Sequence, residues 1–197
     1  MIPWAAMRAL RCWLVVAVCL VGCGRINYDP LDDAGDDDLD GGDDDGTDGP
    51  DGGPCPVGYT PLDGSCYRVV ATLRDWLAAE TDCEADGAGS HLATIVDVDE
   101  HFDLHDLATA QSGGVEVWIG YTDRIGEGTF RWVSPGGLDP SGDSCFFGAG
   151  GPVNSPSENC VAQRSATNCG DWFVRDCALP RPYICEHDGR DAEPSAF

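Results

Sequence analysis

Thr72-Leu73-Arg74-Asp75-Trp76-Leu77-Ala78-Ala79-Glu80-Thr81-Asp82-Cys83, followed by Asp97-Val98-Asp99-Glu100 and closed by Gly113-Gly114, decides the fold class. Thr72 with Asp75 three residues on resembles a capping box, with Asp in place of Glu or Gln. It predicts a helix that buries Trp76, Ala79 and Cys83 on one face. Asp97 with Glu100 caps a second helix over roughly residues 98–111, and Gly113-Gly114 ends it. Beyond Gly114 no helical period returns. Short apolar runs separated by Gly, Pro and Ser occupy the remainder, as strands joined by loops do. The class is α+β: two helices, then a small antiparallel sheet with a long loop region.

Working toward the N-terminus, the charge becomes very uneven. The chain has 197 residues with 35 acidic side chains against 11 basic ones, all Arg, for a formal charge of -24. Residues 29–54 contain 12 Asp and no base, which leaves 23 acids and 8 Arg in residues 55–197, about -15. Nucleic-acid binding needs a basic stripe, and a polybasic membrane segment needs clustered Lys or Arg; the sequence offers neither. The Asp/Gly/Pro segment has too few apolar groups to fold and reads as an extended acidic linker. As a flexible coil its mean span is roughly 30 Å. Asp36, Asp38 and Asp40 before Gly41 alternate as in a calcium loop, but that loop needs a bidentate Glu, and the linker contains none.

Residues 1–22 carry Arg8 and Arg11 and then an apolar run from Trp13 to Val21, too short to cross a bilayer as a mature helix. This predicts a secretory signal peptide. Its end, Leu20-Val21-Gly22-Cys23, resembles the bacterial lipobox, which makes Cys23 the first mature residue and the site of acylation. Several acyl chains on one Cys exceed the single-chain limit at which membrane binding is reversible. The expected location is the bacterial outer membrane or cell surface, with the acyl anchor as the chain's contact with membrane.

With Cys12 and Cys19 removed and Cys23 lipidated, eight cysteines remain: Cys55, Cys66, Cys83, Cys145, Cys160, Cys169, Cys177 and Cys185. An even number after an export signal indicates a disulfide framework. No pair is spaced C-x-x-C and no His follows at finger spacing. Spacing alone leaves 105 pairings open.

Several motifs together resemble one family. Cys55-Pro56-Val57-Gly58-Tyr59 with Gly64-Ser65-Cys66-Tyr67 is similar to the opening hairpin of the long-form C-type lectin-like domain. Trp76, Ala79 and Cys83, Leu92-Ala93-Thr94-Ile95, Val117-Trp118-Ile119-Gly120, Glu158-Asn159-Cys160-Val161, Trp172 with Cys177, and Tyr183-Ile184-Cys185-Glu186 follow in the family's order. The resemblance implies a lectin-like domain over residues 55–187, preceded by the signal peptide and a linker over 23–54 and followed by a short tail, 188–197. It also implies the pairs Cys55 with Cys66, Cys83 with Cys185, and Cys160 with Cys177. Cys145 and Cys169 are then left as a fourth pair across the long loop.

In calcium-dependent members of the family, a Glu-Pro-Asn loop, a later Glu and an Asn-Asp pair after a Trp hold Ca²⁺, which in turn holds sugar hydroxyls. Here Gly151 and Val153 fall at the loop's Glu and Asn, and Phe173 and Val174 follow Trp172. Glu158 alone matches a ligand position, as a weak metal candidate. Apolar groups supply none of the six to eight oxygens that Ca²⁺ takes. A rearranged set around Asp143, Asn154, Asp171 and Asp176 is the remaining route to a calcium site. Phe147 matches a loop aromatic of the family, and with Asn154, Glu158 and the neighbouring Phe173 it marks the candidate ligand loop, roughly residues 134–171.

His101 and His105 have the spacing of zinc-protease helices, but Phe102 replaces the following Glu. A helix-surface or packing role is expected for both. There is no Gly-x-Ser-x-Gly elbow and no Lys for a phosphate loop. No catalytic residue is therefore assigned. Trp118, Trp132, Trp172 and Phe130 read as core, and burial is also expected for Phe146, Phe147 and Phe173. The expected function is a non-catalytic binding or adhesion module for a protein or glycan, working without a cofactor. The alternatives are a calcium-dependent carbohydrate lectin and a structural envelope spacer.

Overall fold

The structure, a computed structural model, describes residues 53–142, 144–148, 151–153, 155–164 and 172–197. The signal peptide, Cys23, nearly all of the acidic linker, Asp143, Asn154, Cys169 and Asp171 lie outside these residues.

The folded unit opens with a hairpin. Strands β1 (Thr60–Leu62) and β2 (Ser65–Arg74) are joined by Asp63-Gly64, whose φ angles of 46° and 81° are those of a two-residue turn that matches strand twist. Helix α1 (Trp76–Glu84) follows at once, capped by Asp75, whose side chain accepts the Ala78 N–H. The capping-box pattern in the sequence puts the cap at Thr72. Instead Thr72 lies inside β2, which pairs antiparallel with β8 (Arg181–His187) over most of its length, so ladder pairing overrides the local capping signal.

Strand β3 (Ser90–Leu92) leads to helix α2 (Val98–Ser112). Asp97 accepts the Glu100 N–H, the Glu100 carboxylate accepts the Val96 N–H, and Gly113 closes the helix with a left-handed φ of 73°. This helix runs one residue beyond the sequence estimate.

Strands β4 (Val117–Thr122), β5 (Arg131–Trp132), β6 (Cys160–Gln163) and β7 (Trp172–Arg175) complete the sheet, with a short helix α3 (Ser144–Phe147) in the loop region. The main order is β1-β2-β8-β4-β6-β7, with β3 on β8 and β5 on β4. Three strands precede α2, and β4 pairs parallel with β8, so the sheet is mixed rather than purely antiparallel and does not simply follow the helices.

All six residues of β4 are buried because the strand has a core on each face. Val117, Ile119 and Tyr121 pack with Leu104 and Ala108 of α2 and with Trp172 and Phe146. Trp118 points the other way, to Trp76 and Ala79 of α1, Ala162 and Tyr183. Gly120 is required here, since a Cβ at that position would stand 2.5 Å from the Val133 side chain and 2.7 Å from the Leu92 carbonyl oxygen. The indole N–H groups of Trp76, Trp118 and Trp132 donate to carbonyls of Ile119, Arg74 and Leu138, so no polar cost attends their burial. Phe130 and Trp132 are only partly buried.

Disulfides join Cys55 to Cys66, Cys83 to Cys185 and Cys160 to Cys177. Cys145 is disulfide-bonded as well. Residues 188–197 run back over the body, where Ala196 is buried and Phe197 meets Trp76 edge to face at 5.7 Å.

Candidate functional site

Strand β7 organises the loop end of the domain. Period-two alternation turns Trp172 and Val174 inward and leaves Phe173 and Arg175 on the other, half-open face. Trp172 donates its indole N–H to Nδ1 of the buried His101 at 3.2 Å. That contact gives His101 its packing role; His105 is half-buried on α2 beside the exposed Asp106.

The loop aromatics divide. Phe146 is buried, 4.7 Å from the Trp172 ring. Phe147 is half-buried, with its ring 5.6 Å from Trp172 and 6.4 Å from Tyr121, so it anchors the loop as well as edging its surface. Phe173 is also half-buried, and the guanidinium carbons of Arg164 and Arg175 lie 4.8 and 4.7 Å from its ring centroid. Val153 is exposed and Glu158 half-buried, the latter acting electrostatically on Arg175.

The five positions that would hold calcium are therefore Gly151, Val153, Glu158, Phe173 and Val174, which offer one carboxylate and no other side-chain oxygen. Two guanidiniums crowd the third of the apolar ones. A hard cation gains nothing from apolar ligands and is repelled by fixed positive charge, so these residues do not fit Ca²⁺. Asp176 is described and exposed, and its carboxylate caps the turn at Ala178.

A second polar group, which sequence reading missed, lies at the opposite end of β8. His91, Glu186 and Asp188 are the one trio among the described residues whose ligand atoms come within 4.8 Å of one another. His91 places Nδ1 2.8 Å from the Leu92 carbonyl and Nε2 3.2 Å from Asp188. Both partners are acceptors, so the ring satisfies both only as an imidazolium. Burial works against that charge, but the Asp188 carboxylate wins and the His91 pKa is raised. Arg190 bonds Asp188 and stands 3.9 Å from Glu186. Protein cations thus already neutralise the trio. Glu186 also accepts the Thr94 N–H and, with Glu100, takes the Tyr67 hydroxyl as donor. Its carboxyl is pushed up by complete burial. The only sequence signal for this network was Glu186 immediately after Cys185.

The arrangement of sheet, helices and disulfides has counterparts among known proteins. The family described as "Lectin C-type domain" matches residues 72–187. The chain belongs to this family. Struthiocalcin-2 of Struthio camelus is 32% identical over 142 residues, covering 68% of this chain and 95% of that protein. Among solved structures, a mouse scavenger receptor C-type lectin carbohydrate-recognition domain aligns with a TM-score of 0.56 at 28% identity, covering 71% of this chain and 100% of the other. A calcium-independent type II antifreeze protein aligns at 0.54 and 26% identity, covering 71% of this chain and 95% of that one. In this C-type lectin domain, 11 of the 116 matched positions lie outside the described residues, all of them in the loop region. Among the described residues, no helix is long and apolar enough to cross a membrane.

Proposed function

We propose that this C-type lectin domain is a non-catalytic binding module that recognises a protein or glycan from its loop end without calcium. The observation that carries the reading is the pair of guanidiniums on Phe173, at a position where calcium-dependent relatives need an oxygen donor. The similarity to a structure described as a calcium-independent antifreeze protein supports it, because the same scaffold stands without the ion. The test is the thermal midpoint of the full chain with excess Ca²⁺ and with chelator. An ion that binds only the native state raises the midpoint by mass action. No chelator-sensitive difference is expected. A clear upward shift with Ca²⁺ would restore the calcium-dependent lectin.

The module is proposed to be exported and lipid-anchored, with residues 1–22 as signal peptide, Cys23 acylated, 23–54 as acidic linker, 55–187 as lectin domain and 188–197 as its tail. Cys145 and Cys169 are proposed as the fourth disulfide. The lipobox-like Leu20-Val21-Gly22-Cys23 supports a bacterial cell-surface or outer-membrane address. In a bacterial host, the wild-type chain is expected in the detergent phase of a phase-partition assay, and Cys23→Ser in the aqueous phase. Equal partitioning of the two would remove the anchor.

A further inference from the structure

The face of the sheet that packs on α1 changes character at its outer edge. Register puts Trp118 of β4, Ala162 of β6 and Phe173 of β7 in one row, while Tyr183 of β8 pairs with Trp118. By alternation, Glu116, Arg164, Arg175 and Arg181, each two residues from a member of that row, share the face. The long side chains meet across these rows. Arg164 and Arg175 stack on Phe173, Arg181 stacks on Trp118 at 4.8 Å, and Glu116 receives Arg175 and Arg181 at 2.7 Å each. The two arginines hold the Glu116 carboxyl below its ordinary value, chiefly through the Arg175 hydrogen bond.

Among the described residues, three of the eight arginines of residues 55–197 thus stand in one strip, against the bonded Glu116 and the more distant Glu158. On a domain of about -15, this is a local inversion of charge. Arg164 is exposed and has no ion pair among the described residues. A guanidinium laid on an aromatic ring keeps its N–H edge turned outward. There it can grip a planar or tetrahedral oxyanion with two parallel bonds, as an ammonium cannot. Like charges gathered on one ring repel, and an incoming anion relieves that repulsion.

We infer that the Arg164–Phe173–Arg175 strip is the binding site for an acidic saccharide, gripped through its carboxylate or sulfate. The inference rests on the calcium-free reading above and supplies its ligand class. At physiological salt, charges more than about 8 Å apart are largely screened, so the strip acts on a nearby anion despite the acidic remainder.

The test is calorimetric titration of the full chain, in chelator at physiological salt, with four probes of similar length. These are a heparin-derived tetrasaccharide, a tetragalacturonate, a neutral tetrasaccharide and an acidic peptide. Saturable binding of the sulfated or the carboxylated sugar, absent for the neutral one, is expected. Because heparin also carries carboxylates, binding of the heparin fragment alone identifies sulfate, and binding of the tetragalacturonate shows that a carboxylate suffices. Arg164→Ala removes one charge-assisted contact and is expected to weaken binding at least tenfold. Arg164→Lys keeps the charge but loses the fork and is expected to fall between the two. Both changes are at an exposed side chain, and an unchanged thermal midpoint verifies the fold. Failure of both acidic sugars to bind, equal binding of the peptide, or an unaffected Arg164→Ala overturns the inference. None of those results touches the calcium-free reading, which stands or falls on the chelator experiment.

Discussion

Replacing Cys83 and Cys185 together by alanine is expected to cost about 4–5 kcal/mol of folding stability in the chain-entropy account, because the bond closes a loop of 102 residues. Domains of this size have only about 5–15 kcal/mol in total. The double variant should therefore lose about a third or more of its stability and, at the low end of that range, sit near the midpoint of unfolding. Urea denaturation of wild type and variant at 25 °C measures the difference directly. The two sulfurs also lie in the fully buried cluster between α1 and β8, so the substitution removes packing as well as the cross-link. Cys55–Cys66 spans only 11 residues at the start of the fold, and its removal is expected to cost less. A loss below about 1 kcal/mol for Cys83→Ala/Cys185→Ala would mean that the unfolded chain is already held compact without the bond.

Raising the pH from 5 to 8 is expected to destabilise the domain. Glu80 is fully buried on α1, where one carboxyl oxygen accepts the Leu92 N–H at 2.8 Å and the other has no hydrogen-bond partner. Burial moves its pKa from 4.5 to about 7, against the smaller pull of the Leu92 N–H and His91. A group whose folded pKa is raised stabilises fully below its unfolded value and loses that contribution as pH rises through the folded one. For Glu80 the loss falls between about 4.5 and 7 and amounts to roughly 3 kcal/mol. Glu186 and His91, whose pKa values are also raised, change stability in the same sense. Glu116 and Asp188, whose values are lowered, oppose it only on the acid side. The thermal midpoint should thus be higher at pH 5 than at pH 8. Glu80→Gln, which imitates the neutral acid, should flatten the decline and exceed wild type at pH 8. A midpoint that rises toward pH 8 would show that Glu80 is hydrated in solution.

The parts of this molecule legible in the sequence are those whose signals are local. Asp97, Glu100 and Gly113 specify α2 almost to the residue, because capping needs nothing from outside the helix. Thr72 misled because the same few residues also suit a strand, and the partner that decides between them, β8, lies about a hundred residues away. The apolar replacements at Val153, Phe173 and Val174 were readable position by position from the family resemblance. The arginines around Phe173 were not. Arg164, Arg175 and Arg181 come together only through the register of four strands, which no spacing in one strand reveals. The buried carboxylates escaped for a related reason: Glu80, Glu100 and Glu186 look like ordinary surface acids until the N–H groups and hydroxyls that satisfy them are in place.

The two faces of β4 and the single open face of β7 divide the labour of the sheet. β4 is held by neighbours on both edges and by a core on both sides, so almost any new side chain there must displace an old one. β7 is the last strand of its row, and among the described residues it pairs only with β6. Phe173 and Arg175 stand on its outward side while Trp172 and Val174 secure it from within. Substitutions at Phe173 leave the anchoring pair untouched, whereas Arg175 also holds Glu116 and the Val174 carbonyl. The edge of this scaffold is accordingly its rewritable surface, where a lineage or a designer can exchange one specificity for another without asking the rest of the protein to fold anew.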